Sequence, residues 1–179
     1  MTKTQVGVLA ALVVAVVVAA IAAAVMLGRE DEPGTDAHVH IEPISTADEV
    51  AVAAISGLHT WTPAAQQSPW DAMNAIADQL TGPLAQAAST RPDPDPTPRR
   101  WPAWARSGDR VIGVATLGPD QDPVADEARQ ATRMVLVRQK VLHPDGATTP
   151  LEPITVTVEL ERVGEAWKVA SYQYRSVGQ

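Results

Sequence analysis

The stretch that decides the fold of this 179-residue chain is ITVTVEL, residues 154–160. Apolar and polar side chains alternate strictly along it, which is the pattern of a β-strand with one face toward a core. We expect the inward positions to be Ile154, Val156, Val158 and Leu160, and the outward ones Thr155, Thr157 and Glu159. Residues 163–166, VGEA, predict a tight return into a last strand over residues 167–175.

Two further strands are predicted upstream of this hairpin. Residues 110–117 read as a strand, and a loop rich in Pro, Asp and Gly follows from residue 118 to about residue 127. Residues 129–143 have apolar side chains on both faces, which predicts burial between two layers. In the last strand, one face is expected to hold Trp167, Val169 and Ser171, and the other Lys168, Ala170, Tyr172 and Tyr174.

Three helices are predicted before the strands. Thr46 and Glu49 fit a capping box, and a stripe of Val50, Ala54, Ile55 and Leu58 runs to a helix end near His59. Ser68-Pro-Trp-Asp71 starts a second helix that continues to about Leu80. Residues 84–88 predict a short third helix. Helices followed by antiparallel strands indicate an α+β domain.

Between the helices and strands lies RPDPDPTPRR, residues 91–100, whose prolines require an extended connector. Trp101 and Trp104 follow, and we interpret them as aromatic packing beneath a turn into the first strand. With the nearby cations they form a candidate interaction patch of Trp101, Trp104, Arg99, Arg100 and Arg106. Basic and aromatic side chains together would suit an acidic partner or anionic lipid headgroups. A solvated rim is the alternative for the arginines.

The amino-terminal part contains VGVLAALVVAVVVAAIAAAVML, residues 6–27, without a charged residue or proline. At 1.5 Å per residue a helix of this length is roughly 33 Å long, enough to span a bilayer core of about 30 Å. We therefore predict an uncleaved transmembrane helix. A cleaved secretory signal is the alternative, because Ala22-Ala-Ala24 resembles a cleavage site.

The resulting organisation has four parts. We predict a cytoplasmic tail over residues 1–5, the transmembrane helix over residues 6–27, a juxtamembrane linker over residues 28–44, and an extracytoplasmic domain over residues 45–179. Lys3 and Arg29 flank the helix equally, so this orientation rests on the shortness of the tail relative to the domain. We therefore expect a single-pass protein of the cell membrane.

One face of the predicted membrane helix is lined by small residues at every fourth position. This candidate self-association face consists of Gly7, Ala11, Ala15, Ala19 and Ala23. Small side chains allow two membrane helices to approach closely, although any alanine-rich segment produces such a ladder by composition. A homo-oligomer is therefore one expected partner state.

Composition excludes several classes of function. Only Lys3 of the 14 Lys and Arg precedes Arg29, whereas all 21 Asp and Glu follow residue 28, so the chain beyond the helix carries a net formal charge of −8. A net-acidic domain argues against nucleic acid as the main ligand, because phosphate contacts need clustered Lys and Arg. Asp36, His38, His40 and Glu42 would share one face of an extended chain and could bind zinc, but a solvated linker is the simpler interpretation, and we predict neither a metal nor a cofactor.

No catalytic motif is present. The chain has no Cys and no G-x-S-x-G, H-E-x-x-H, G-x-G-x-x-G or P-loop pattern. The inward strand positions are apolar, so an acid–base pair would have to come from His59 with Tyr172 or Tyr174. For His59 the simpler interpretation is a half-buried residue at a helix end. We predict that the protein is not an enzyme.

Several short patches together resemble a known family. They are Trp61-Thr-Pro63, Ser68-Pro-Trp-Asp71, Leu80-Thr-Gly82, the run from Trp101 to Asp109, and the pattern from Val135 to Val169. With the anchor and spacer, they resemble small actinobacterial membrane-anchored proteins with an NTF2-like (cystatin-like) domain, of the VirB8/TcpC-like type found in conjugative type IV secretion. They are also similar to Mce-associated membrane proteins.

The resemblance implies three helices followed by a curved four-stranded antiparallel sheet. It also implies a non-enzymatic scaffold that contacts secretion-channel proteins or itself. The alternative is a membrane-tethered ligand-binding or Mce-transport accessory domain that holds a lipid or other small molecule in the NTF2-like pocket. Placement of Trp61, Trp101 and Trp104 separates the two functions: rings lining a cavity favour a ligand, and rings in a surface patch favour a protein partner.

Overall fold

The computed structural model describes residues 46–175, which form an α+β domain with its helices first. The helices are α1 (Ala47–Leu58), α2 (Trp70–Ala75), α3 (Gly82–Ser89) and α4 (Trp101–Ser107), with a 3-10 helix (Ala77–Gln79) between α2 and α3. The strands are β1 (Arg110–Leu117), β2 (Gln130–Leu142), β3 (Thr148–Pro150), β4 (Ile154–Val163) and β5 (Ala166–Arg175). The predicted class and the order of elements are confirmed.

Helix α1 begins with the predicted capping box. The backbone N–H of Glu49 donates to Thr46 Oγ1 at 3.2 Å, and the backbone N–H of Thr46 donates to Glu49 Oε2 at 2.8 Å. Two N–H groups that the helix leaves without partners are satisfied in this way. The helix ends at Leu58 with His59 as its C-cap, close to the predicted end.

The five strands form one antiparallel sheet in the order β1-β2-β4-β5. Strand β2 is central, because its second half pairs with β1 and its first half with β4. The short strand β3 pairs with the last residues of β2. The prediction of four strands is therefore wrong by one: Thr148, Thr149 and Pro150 are all exposed, and three residues contain no readable alternation.

The main core lies between α1 and one face of the sheet, which we call the inner face. It bears Val135, Val137, Val156, Val158 and Val169, all fully buried, and α1 contributes Ala51, Ala54, Ile55 and Leu58. On the opposite, outer face of β2, the side chains of Met134, Leu136 and Leu142 are only half-buried. Burial of β2 between two layers, expected from its apolar residues, is therefore wrong for this face.

A β-bulge in β5 changes which side chains point inward. Leu160 pairs with Val169, but its neighbour Glu159 pairs with Ser171, so Ala170 is the extra residue. Beyond it Tyr172 pairs with Val158 and Tyr174 with Val156, two inward positions. The predicted faces of the last strand are therefore wrong after Val169, because one inserted residue reverses the period-two alternation.

The second predicted helix is shorter than its apolar spacing indicates. Helix α2 ends at Ala75, and Leu80 lies in extended backbone, bridging to Val169 of β5. The backbone N–H of Thr81 donates to the Val169 carbonyl at 2.9 Å. Gly82 and Pro83, interpreted as an interruption, form the first turn of α3. Pairing with the edge of the sheet thus takes precedence over the helical pattern.

Helix α4 is a fourth α-helix where the sequence predicts only a turn. Pro102 lies in its first turn, and Gly108 ends it with a φ of 74°. Proline at a helix start and a left-handed glycine just after its end are favourable signals for a helix. Both signals are present in the sequence of residues 101–108.

Candidate functional site

The predicted interaction patch around α4 divides into two parts in the structure. Trp101 and Trp104 are buried, with 5% and 8% of their surface exposed. Arg99, Arg100 and Arg106 are exposed. The patch as predicted, with aromatic rings presented beside the cations, is therefore corrected: the rings hold α4 in place, and only the arginines face solvent. Whether these arginines bind a partner stays a prediction.

The tryptophans belong to a second, smaller apolar cluster at one end of the inner face. Trp104 packs with Val111 and Val141, and Trp61 and Leu151 pack against this group. The ring centroids of Trp61 and Trp101 are 5.8 Å apart. These rings pack against one another and against strand residues, and they favour neither of the two functions that they were expected to separate.

A polar belt separates the two apolar clusters of the inner face, and His59 lies at its centre. His59 is only 2% exposed, more deeply buried than predicted. Its Nδ1 lies 2.8 Å from the Ile55 carbonyl, which can only accept, so Nδ1 carries the proton and Nε2 accepts from Tyr174 Oη at 3.2 Å. Burial lowers the pKa of the imidazole below 6.5, and the Ile55 hydrogen bond offsets this only partly.

The backbone of His59 is held as tightly as its ring. Gln139 Nε2 donates to the His59 carbonyl at 2.9 Å, and Gln139 is itself buried. Gly113 lies against the same carbonyl: a Cβ at position 113 would be 2.6 Å from the His59 oxygen. Thr60 Oγ1 accepts from the Gly113 N–H at 3.1 Å. The belt joins the end of α1 to β1 and β2, and every polar group named here has a structural partner.

Tyr172 and Tyr174 come close to His59 because of the bulge in β5. The ring centroids of His59 and Tyr174 are 5.8 Å apart, and those of the two tyrosines 5.7 Å, both edge to face. Tyr172 packs against the main core, whereas Tyr174 is 58% exposed. The structure thus brings together the His and Tyr residues named from the sequence, but as a packed cluster in which the imidazole is neutral and both its nitrogens are engaged.

A second polar cluster, unforeseen in the sequence, joins the start of β1 to the ends of β2 and β3. His143 Nδ1 lies 2.9 Å from Asp109 Oδ1, and His143 Nε2 lies 2.9 Å from Thr149 Oγ1. Hydrogen bonding to Ser107 and His143 lowers the pKa of the Asp109 carboxyl. An acid, an imidazole and a hydroxyl in this order resemble a nucleophile triad. In the structure, the cluster connects the residue before β1 with the end of β2 and with β3.

Arg133 is the one charged residue of β2 that faces inward. It is 7% exposed; its Nε donates to Asp48 Oδ1, and its Nη2 donates to the Asp122 carbonyl at 3.1 Å. These bonds connect the first turn of α1 to the β1–β2 loop. An open surface groove of ≈ 370 Å³ lies beside this loop and is lined in part by Pro123, Val124 and Arg133.

The outer face has a different character. Its positions on β1 and β2 are all half-buried or exposed, and Val114 is 53% exposed. Basic side chains lie at the end near α4, beside the apolar Ile112 and Val114. The apolar Met134 and Leu136 lie in the middle, and acidic side chains lie at the opposite end. The basic residues are Arg110, Arg138 and Lys140, and the acidic ones are Glu159 and Glu161.

Several predictions fall outside the described residues. They are the cytoplasmic tail 1–5, the membrane helix 6–27 with its ladder of Gly7, Ala11, Ala15, Ala19 and Ala23, and the linker 28–44 with His38 and His40. Between residues 46 and 175, no helix is long and apolar enough to cross a membrane. In the same range, no group of three or more His, Asp and Glu is placed to hold a metal ion.

The chain matches no family model and no curated protein. Among solved structures it is similar to the VirB8 protein of Agrobacterium tumefaciens, with 16% identity over 76% of this chain and 99% of the other, at a TM-score of 0.47. It is also similar to CagV, a VirB8 homolog of the Helicobacter pylori type IV secretion system, with 12% identity over 73% of this chain and 97% of the other, at a TM-score of 0.46. The intermembrane space region of the chloroplast protein ARC6 matches at 16% identity over 71% of this chain and 95% of the other, with a TM-score of 0.35. Likenesses this weak leave the function to be argued from the residues.

Proposed function

We propose that this chain is a non-enzymatic, single-pass membrane protein that acts as an assembly component of a conjugation or type IV secretion-like apparatus. Residues 6–27 anchor it, and residues 45–179 form an NTF2-like interaction domain outside the cytoplasm. The proposal rests on the uncharged amino-terminal stretch, on the resemblance of the short sequence patches, and on the packing of the inner face.

The packing of α1 is the observation that carries the proposal. A cone-shaped domain that binds a small molecule keeps an apolar cavity with a few polar groups between its helix and its sheet. Here that space is filled by Ile55 and the valines of β2 and β4, which are fully buried. The polar groups of the belt are hydrogen-bonded within the belt, and burial keeps His59 neutral by lowering its pKa. A surface function therefore suits the domain better than catalysis.

The anchor is tested by extraction of the full-length chain. We expect it to remain in the membrane pellet after alkaline carbonate treatment and to retain its full mass. Two lysines in the apolar stretch, Val14→Lys with Val17→Lys, cost about 2.5–3.5 kcal/mol each at the centre of a bilayer and should release it. Val14→Ile with Val17→Ile is the matched control. Release of the unchanged chain by carbonate, or a mass lacking the first residues, would contradict the anchor.

The assembly role is tested by crosslinking in the native membrane. We expect the full-length chain to be recovered with the same set of secretion-channel subunits in independent preparations. An alkaline phosphatase fusion after residue 179 should be active if the domain lies outside the cytoplasm. A chain recovered as a monomer with a co-purified small molecule would overturn the scaffold proposal and favour the ligand-binding alternative.

A further inference from the structure

The outer face of the sheet has apolar side chains that the other described residues leave partly exposed. Val114 on β1 points to this face and is 53% exposed. On β2, Met134 and Leu136 are half-buried and pair with Thr157 and Thr155 of β4, which are also half-buried. An apolar centre with a polar rim is the arrangement found at protein–protein interfaces.

Charge is distributed unevenly along the strands of this face. At one end Arg138 and Lys140 of β2 lie opposite Val114 and Ile112 of β1 and are exposed. Arg110, the first residue of β1, is at the same end. Arg99, Arg100 and Arg106 precede it in and around α4. This end of the domain is therefore basic, although the chain as a whole carries a net formal charge of −7.

The opposite end of the same strands is acidic. Glu159 of β4 pairs with Thr132, and Glu161 pairs with Gln130, and both glutamates are exposed. The β1–β2 loop emerges at this end and adds Asp120, Asp122, Asp126 and Glu127, all exposed. Lys168, opposite Glu161, together with Arg129 and Arg162 at the same end, offsets half of these six negative charges. From Thr132 to Arg138 the strand rises roughly 20 Å, so the two charged ends are well separated.

We propose that the outer face binds a second copy of this chain, with a two-fold axis lying across the strands. This operation reverses the strand direction, so the basic end of each protomer lies on the acidic end of its partner, and the apolar centres meet. Each contact occurs twice, as a closed two-fold interface requires. The inference rests on the proposed scaffold function and names the partner and the surface that the scaffold uses.

A second copy fits this face better than other occupants. A face with one basic and one acidic end is complementary to a second copy of itself in the reversed orientation. An anionic lipid surface would instead be repelled by Glu159 and Glu161. Four strands spaced about 4.8 Å apart and roughly 26 Å long cover only about 500 Å² per protomer, below the ~800 Å² of a standard interface. The contact is therefore weak in solution and depends on two chains being held in one membrane.

Cysteine crosslinking tests the contact, because the native chain contains no Cys. Leu136→Cys lies near the proposed axis, and in membranes the full-length variant should crosslink to itself with a short bis-maleimide. Gln86→Cys, exposed on α3, is the matched control and should remain monomeric. Arg138→Cys should crosslink with co-expressed Glu159→Cys, and Glu159→Cys should not crosslink with itself.

Charge exchange tests the orientation. Arg138→Glu with Lys140→Glu places acid against acid and should reduce the Leu136→Cys crosslink at least fivefold. Adding Glu159→Lys and Glu161→Lys to the same chain restores opposite charges at both ends and should restore the crosslink. All four substitutions are at exposed positions, so a folded chain is expected throughout, and tryptophan fluorescence checks it.

The proposal is overturned if Leu136→Cys crosslinks no more than Gln86→Cys, if its crosslinked product contains a different protein, or if the fourfold exchange fails to restore the product. Failure of the scaffold function is a separate result: the wild-type chain would then form the two-fold dimer in membranes but be recovered without secretion-channel subunits.

Discussion

The two faces of one sheet differ sharply in this protein, although the same strands form both. The inner face is filled by α1 and α4, and even its polar residues are paired across a belt around His59. The outer face leaves Val114 exposed and Met134 and Leu136 half-buried, and it has a basic end and an acidic end. Residues that specify the fold are therefore concentrated on one face, and the opposite face is free to serve an interaction.

The first prediction contrasts an inner and an outer apolar residue. Ile55 is fully buried on α1, so Ile55→Ala should lower the free energy of unfolding by about 3–4 kcal/mol through lost burial and a residual cavity. Val114→Ala on the outer face should cost less than about 1 kcal/mol, because half of its surface is already exposed. Urea unfolding of the detergent-solubilised chain, followed by tryptophan fluorescence, measures both. Equal losses would contradict the division of roles between the faces.

The second prediction concerns the closest backbone approach in the belt. Gly113→Ala places a Cβ 2.6 Å from the His59 carbonyl oxygen and 2.8 Å from the His59 Cβ, so α1 must move away from β1. We expect a loss of about 2–3 kcal/mol in the same unfolding measurement. Gly146→Ala is the comparison in open space, where only the positive φ opposes the change and a loss of about 1 kcal/mol is expected. A harmless Gly113→Ala would show that the helix end is not held as described.

The third prediction tests the charged pair at the other end of the inner face. Asp48→Ala removes the carboxylate partner of the buried Arg133 and should cost about 1–2 kcal/mol. Arg133→Met replaces the buried cation by an apolar side chain of similar length and should cost less, because Asp48 is 40% exposed and remains hydrated. The two variants are compared by their urea midpoints. A greater loss in Arg133→Met would indicate that the bond to the Asp122 carbonyl dominates.

The smallest effect is expected from pH. Because burial lowers the pKa of His59 in the folded chain, only the unfolded chain takes up this proton as the pH falls below about 6.5. Stability is therefore complete above that pH and decreases below it, by at most about 1.4 kcal/mol per pH unit, until the pH reaches the lower folded-state pKa.

Urea midpoints at pH 7.5, 6.5 and 5.5 measure this slope. His59→Gln should reduce this slope. The lowered pKa of Asp109 acts only as the pH falls through about 3.8 and below, outside this range. A slope unchanged by His59→Gln would contradict the buried neutral imidazole.

Much of the fold was predictable because the signals are local. The capping box of Thr46 and Glu49, the alternation from Ile154 to Leu160 and the VGEA turn each use only a few neighbouring residues, and all three are confirmed. The candidate site was less predictable. Trp101 and Trp104, with the arginines beside them, have the residue types of a binding patch. Both rings are nevertheless buried next to the second, smaller apolar cluster of the inner face.

By itself, the sequence determined the α+β class, the helices-before-strands order, the strand β1 and the hairpin of β4 and β5, since backbone propensity and side-chain period act over short distances. Only the tertiary structure decided the bulge at Ala170, the extended Leu80 and the contact of His59 with Tyr174. Each depends on pairing between residues far apart in the chain: Leu80 joins Val169 at the sheet edge, and one inserted residue in β5 turns Tyr172 and Tyr174 toward α1. The alternation along one strand does not specify which residues of the neighbouring strand it pairs with. It therefore cannot show which face of the sheet stays uncovered.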